Sequence, residues 1–111
     1  MKLLICGSRE ITEFDFTAYV PEDTEVIITG GAKGIDSIGE TYAREKGIAY
    51  ETHLPEYGRY GRGAPMVRNK QMVDLADAVL AVWDGKSSGT KQTVKYAEDA
   101  GKPVTVVRVD V

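Results

Sequence analysis

Three short stretches of this chain combine glycine with small hydroxylated or charged residues in a way that suits an anion. They are Gly7-Ser8-Arg9, Gly30-Gly31-Ala32-Lys33-Gly34-Ile35-Asp36 and Asp84-Gly85-Lys86-Ser87-Ser88-Gly89-Thr90. Glycine at a strand-to-helix turn lets backbone N–H groups approach a ligand, and unpaired N–H groups at a helix start, reinforced by the helix dipole, favour phosphate. Taken singly, each glycine loop is read equally well as a tight turn. Known phosphate fingerprints are not met: the second stretch is Gly-Gly-x-x-Gly and not G-x-G-x-x-G. Gly85-Lys86-Ser87 resembles the end of a P-loop but has Leu80 where the leading glycine belongs.

Arg68 and Asn69 stand one helical turn before Met72 and Val73, on the face that those apolar residues bury. An arginine there is costly to desolvate unless it meets an anion, which is either a ligand phosphate or a structural partner, Asp36 or Asp84. Asp36 itself either complements the positive end of its helix or touches the ligand. The segment from Glu56 to Gly63 interleaves tyrosine, arginine and glycine, and reads either as a flap that stacks on a base or as a solvated connection. Cys6 reads as a small buried hydrophobe and His53 as a polar strand end, neither with a catalytic partner. With one cysteine and one histidine no metal cluster is expected, and the spacing singles out no catalytic residue and no cofactor.

Positioning these residues falls to alternating elements. Short β-rich runs interleaved with stretches of helical period are the signature of βαβ units around a parallel sheet. The near-continuous apolar runs Leu3 to Cys6, Val26 to Thr29 and Val79 to Trp83 suit central strands. Ala49 to His53 and Val104 to Val109 carry polar residues and suit edges. The expected fold is α/β, a Rossmann-like three-layer sandwich on a five-stranded parallel sheet of order 3-2-1-4-5. Helices are expected after Thr12 (short, stopped by Pro21), from about Lys33 to Lys46 with an outward Glu40–Arg44 pair, from Pro65, and from about Ser88. In such a sheet the helix N-termini gather at the carboxyl edge of the strands, so the three glycine-bearing loops would converge on one crevice, with Trp83 beside it.

At 111 residues, 42% hydrophobic and 28% charged, the chain is expected to form one domain spanning 1–111. Fourteen basic against 17 acidic residues, net −3 with a pI near 5.1, argue against a broad grip on nucleic acid or an anionic membrane. No signal peptide or membrane span is legible, so the expected setting is cytoplasmic. A homo-oligomer is compatible with this reading.

Together, Gly7-Ser8-Arg9, Gly30-Gly31-Ala32-Lys33-Gly34-Ile35-Asp36, Gly61-Arg62 leading to Arg68-Asn69-x-x-Met72, and Asp77-Ala78 leading to Ser88-Gly89-Thr90 resemble the SLOG superfamily. That superfamily joins the DNA-processing Smf/DprA proteins with the LOG phosphoribohydrolases, and the likeness is greatest to its small YspA/YpsA-related branch. The resemblance implies a Rossmann-like nucleotide-binding fold with nucleotides or NAD- and ADP-ribose-like derivatives as ligands. From the loops and the resemblance together, ligand contacts are expected at Gly7, Ser8, Arg9, Gly30, Gly31, Ala32, Gly34, Asp36, Arg68, Asn69, Ser87, Ser88, Gly89 and Thr90. Arg68 matches the arginine that LOG enzymes use at the reacting centre. At the last loop LOG enzymes read P-G-G-x-G-T-x-x-E, whereas here Lys86 and Ser87 replace the paired glycines and Thr93 replaces the glutamate. A threonine cannot stabilise an oxocarbenium-like centre or activate water, so binding or sensing of a nucleotide-derived molecule is the leading expectation. Hydrolysis of nucleoside phosphates or NAD-like dinucleotides is the alternative, and DprA-like single-stranded nucleic-acid binding stands third.

Overall fold

A computed structural model describes all residues, 1–111. Five strands, β1 (Lys2–Gly7), β2 (Val26–Thr29), β3 (Ala49–Thr52), β4 (Ala78–Trp83) and β5 (Val104–Arg108), form one parallel sheet of order β3-β2-β1-β4-β5. The expected order and parallel pairing therefore hold. The three central strands are buried on both faces, as their unbroken apolar runs require, while β3 and β5 expose most of their side chains at the edges.

One face of the sheet is covered by α1 (Ile35–Lys46), whose Ile35 and Ala43 pack with Leu3, Ile5 and Ile27. The opposite face is covered by α3 (Ala64–Leu75) and α4 (Ser88–Asp99), which bury Met72, Val73 and Ala97 against Leu4, Ile28 and Val79. A single turn, α2 (Tyr57–Tyr60), and a 3₁₀ turn at Gly61–Gly63 lead into α3. This is a three-layer α/β sandwich of Rossmann-like form. No helix is long and apolar enough to cross a membrane.

The helix expected after Thr12 is absent. Residues 11–16 are irregular, followed by a turn in which the N–H groups of Tyr19 and Val20 both donate to the Phe16 carbonyl. Phe14 packs edge-on against Phe16, centroids 4.8 Å apart, and Phe16 and Ile11 are almost fully buried in the α1-side core. A helix would turn residues two apart to different faces, so the aromatic pair favours an irregular crossover. The Asp15 carboxylate, accepting from the Thr17 N–H at 2.9 Å, further stabilises the turn.

The expected Glu40–Arg44 pair does not form either. Glu40 Oε2 accepts from the hydroxyls of Thr29 and Thr52, tying α1 to the ends of β2 and β3, while Arg44 donates to the Tyr50 hydroxyl. Two fixed hydroxyl donors on the sheet outcompete a mobile exposed ion pair, whose worth is small.

Candidate functional site

At the carboxyl edge the loops after β1, β2 and β4 do converge, around a cavity of about 540 Å³. The β1 loop contributes Cys6, Gly7, Arg9 and Glu10, and the β2 loop with α1 contributes Ala32 and Asp36. Pro65, Arg68, Asn69 and Met72 come from α3, and Asp84, Lys86, Ser87, Ser88, Gly89, Thr90 and Thr93 from the β4 loop and α4. Thus Gly7, Arg9, Ala32, Asp36, Arg68, Asn69, Ser87, Ser88, Gly89 and Thr90, widely spaced in sequence, line one space.

Four residues expected at the ligand lie outside that lining. Ser8 is fully buried: its Oγ accepts from the Asp84 N–H at 2.9 Å and its own N–H donates to Val82 at 3.0 Å, so it pins β1 to β4. Gly30 is buried between Arg68 and Asp36, where a Cβ would meet Arg68 Nη1 at 2.6 Å. Gly31 turns outward toward Thr52 and Leu54. Gly34 precedes α1 with φ +77°, and a Cβ there would stand 2.5 Å from the Ser8 carbonyl oxygen and 2.6 Å from that of Arg9. The close approach this glycine permits is to the β1 loop backbone, not to a phosphate.

Two aspartates organise the loops. Asp36, only 7% exposed, accepts through Oδ2 from the N–H groups of Gly30 at 3.1 Å and Ala32 at 3.2 Å. Burial pushes its carboxyl up to about 6, against the pull of those two hydrogen bonds and of the Arg68 charge. Two of the N–H groups after β2, those of Gly30 and Ala32, are therefore taken by the chain's own carboxylate. Asp84 does the same for the β4 loop, Oδ1 accepting from Lys86 at 2.8 Å and Ser87 at 3.0 Å, and these bonds hold it below the usual carboxylate range.

At the start of α4 the Ser87 hydroxyl caps the Thr90 N–H, which leaves the N–H groups of Ser88 and Gly89, in the first turn, without an acceptor. Arg9 and Lys86 flank the cavity with exposed side chains that form no ion pair.

Arg68 is half-buried and serves the backbone. Its Nη1 donates to the carbonyls of Gly30 at 2.8 Å and His53 at 3.2 Å, and its Nε to Asn69 Oδ1 at 2.8 Å. It forms no ion pair with Asp36 or Asp84, and burial pulls its guanidinium below the ordinary arginine range. Cys6, 8% exposed at the cavity floor, has its thiol raised by burial and by the Asp36 charge, which leaves it a poor nucleophile. His53 stays at its strand end beside Glu51. No residue from Glu56 to Gly63 lines the cavity, and Trp83, whose indole N–H donates to the Ser87 carbonyl at 2.9 Å, does not line it either.

Glu10, Pro65 and Met72 are lining residues that spacing did not bring to the site. Glu10 simply extends the Gly7-Ser8-Arg9 loop by one residue, a signal that was present. Pro65 and Met72 read as a helix start and a core position, and they fill those roles while also facing the cavity.

No protein-family model matches the chain, and no solved structure matches it. The gene 61 protein of Mycobacterium phage D29 is 36% identical to it over 85 residues, an alignment that covers 71% of this chain and 68% of the phage protein. Identity of that order over that share of both chains reflects common descent, and the chain belongs to the family of the phage D29 gene 61 protein.

Proposed function

We propose that the cavity binds a small molecule derived from a nucleotide, such as a nucleoside phosphate, ADP-ribose or an NAD-like compound, and that the protein acts through this binding. The observation that carries the reading is a cavity beside the switch between β1 and β4 that is lined by the unpaired Ser88 and Gly89 N–H groups at the start of α4 and by the Arg9 and Lys86 side chains. Its volume, about 540 Å³, falls within the ~300–1,000 Å³ usual for small-ligand sites. Most of its lining residues are charged, hydroxylated or glycine, which supplies the donors and acceptors that a sugar phosphate needs. The resemblance of the glycine motifs to the SLOG superfamily points the same way.

Phosphate is assigned to the start of α4, since after β2 the Gly30 and Ala32 N–H groups are taken by the Asp36 carboxylate, which stands in the first turn of α1. LOG-type hydrolysis is the weaker reading. Thr93 lines the cavity, but its hydroxyl donates to the Gly89 carbonyl at 2.9 Å and offers no carboxylate. Thermal unfolding with a panel of nucleoside monophosphates, diphosphates, ADP-ribose and NAD tests the proposal. A ligand at ~100 times its dissociation constant adds about 2.7 kcal/mol, a readily measured rise in Tm. A flat response to the whole panel at millimolar concentration overturns it.

A further inference from the structure

The two oxygens of Asp36 have different fates. Oδ2 is held by the Gly30 and Ala32 N–H groups, whereas Oδ1 has no protein partner. The residue is only 7% exposed, yet it lines the cavity. Oδ1 is also not among the fully enclosed polar atoms lacking a partner, the only one of which is the Thr24 hydroxyl. The free oxygen therefore keeps some exposure, on a residue that lines the cavity. A carboxylate oxygen at such depth without a donor is unfavourable, and a ligand that supplies a donor removes that penalty.

We propose that Asp36 Oδ1 accepts a hydrogen bond from a ribose hydroxyl of the bound nucleotide, so that the cavity selects ribonucleotides over their deoxy forms. The assignment rests on the nucleotide reading above and deepens it. The Gly30 and Ala32 N–H groups are taken by Asp36 itself, whereas the Ser88 and Gly89 N–H groups are free, so the phosphate is assigned to the far end with Lys86, Ser88 and Gly89. Only β1 separates β2 from β4, and two strand spacings amount to ~10 Å. A phosphate seated on α4 therefore leaves its own sugar, rather than the base beyond it, opposite Asp36. Arg68, across Gly30, is already engaged with the Gly30 and His53 carbonyls and does not fill the vacancy at Oδ1.

The test is isothermal calorimetry with the tightest-binding of the four ribonucleoside 5′-monophosphates, set against its 2′-deoxy and 3′-deoxy forms. The native protein is expected to lose at least tenfold in affinity when one of the two hydroxyls is removed. In Asp36→Ala that ratio falls to near one. Asp36→Asn is not the deciding variant, because its amide can still bond a hydroxyl. Equal affinity of the native protein for ribo and deoxy forms overturns the role of Asp36 while leaving nucleotide binding intact. A ratio that persists in Asp36→Ala overturns it too, by showing that the hydroxyl is read elsewhere. Absence of binding by all four monophosphates defeats this assignment, and a flat response to the wider panel as well would defeat the nucleotide reading. If Asp36→Ala does not fold, Asp36→Ser, too short to reach the hydroxyl, takes its place, and a ratio that persists there overturns the assignment in the same way.

Discussion

Asp36 and Arg68 hold the N–H and the carbonyl of one residue, Gly30, without forming an ion pair. The Asp36 carboxylate accepts the Gly30 N–H at 3.1 Å, and the Arg68 guanidinium donates to the Gly30 carbonyl at 2.8 Å. Opposite charges on α1 and α3, elements on opposite faces of the sheet, thereby fix the end of β2 from both sides.

Arg68→Ala is expected to cost stability as well as any ligand contact. It strips donors from the Gly30 and His53 carbonyls, and a hydrogen bond to a charged group is worth about 1.5–3 kcal/mol. The variant should be less stable in urea by about 2–3 kcal/mol, with Arg68→Lys recovering only part, because an ammonium has one nitrogen and cannot serve the carbonyls and Asn69 Oδ1 together as Nη1 and Nε do. Unchanged urea stability in Arg68→Ala would show that the guanidinium serves a ligand alone.

The raised Asp36 carboxyl makes stability depend on pH in a stated direction. Its folded value of about 6 exceeds the ordinary 3.8, so the folded state holds the proton more tightly than the unfolded chain. That contribution is complete below about pH 4 and is lost as pH rises through about 6, amounting to up to roughly 3 kcal/mol. Asp36→Asn, whose amide oxygen can still accept from Gly30 and Ala32, should lose this slope and be the more stable protein at pH 7. Urea midpoints of both proteins at pH 4.5 and pH 7 provide the check, and a variant less stable than the native chain at pH 7 contradicts the expectation.

Gly34→Val should destabilise the fold whether or not ligand is present. The backbone at φ +77° disfavours any side chain, and Ser8 and Arg9 carbonyl oxygens stand where the Cβ would go. A loss of at least about 2 kcal/mol is expected from denaturation, whereas native-like stability with binding alone abolished would return Gly34 to the ligand.

Lys86→Ala and Arg9→Ala should behave in the opposite way. Neither side chain has an ion-pair partner to lose, so stability should move by less than about 0.5 kcal/mol. Nucleotide affinity should fall about tenfold or more in Lys86→Ala, since charge-assisted bonds to phosphate are the strong ones. Calorimetry at two salt concentrations separates a phosphate contact, which weakens with salt, from a neutral one.

Release of free base from nucleoside monophosphates should stay at background. Thr93 stands where the LOG pattern has its glutamate, and a positioned acid or base typically contributes 10²–10⁴-fold in rate. Chromatography of long incubations reads this out. Rapid turnover by the native protein, lost in Asp36→Asn or Asp84→Asn, would make hydrolysis the better account.

Local pattern determined most of the architecture. Unbroken apolar runs at Leu3, Val26 and Val79 can be satisfied only by strands covered on both faces, and the polar content of the β3 and β5 runs leaves them the edges. The carboxyl-edge position of the glycine loops followed from the same topology, because crossover connections return the chain to a common edge. The irregular segment after Thr12 was illegible, since whether Phe14 and Phe16 pack against each other or follow a helix depends on the core they meet. Gly34 and Ser8 read as ligand residues but serve backbone packing, and Asp36 takes the N–H groups that a phosphate was expected to use. Residue type and spacing reveal which donors and acceptors a loop owns, but which of them pair with one another is decided only when strands distant in sequence bring their ends together, and the groups left unpaired then define the site.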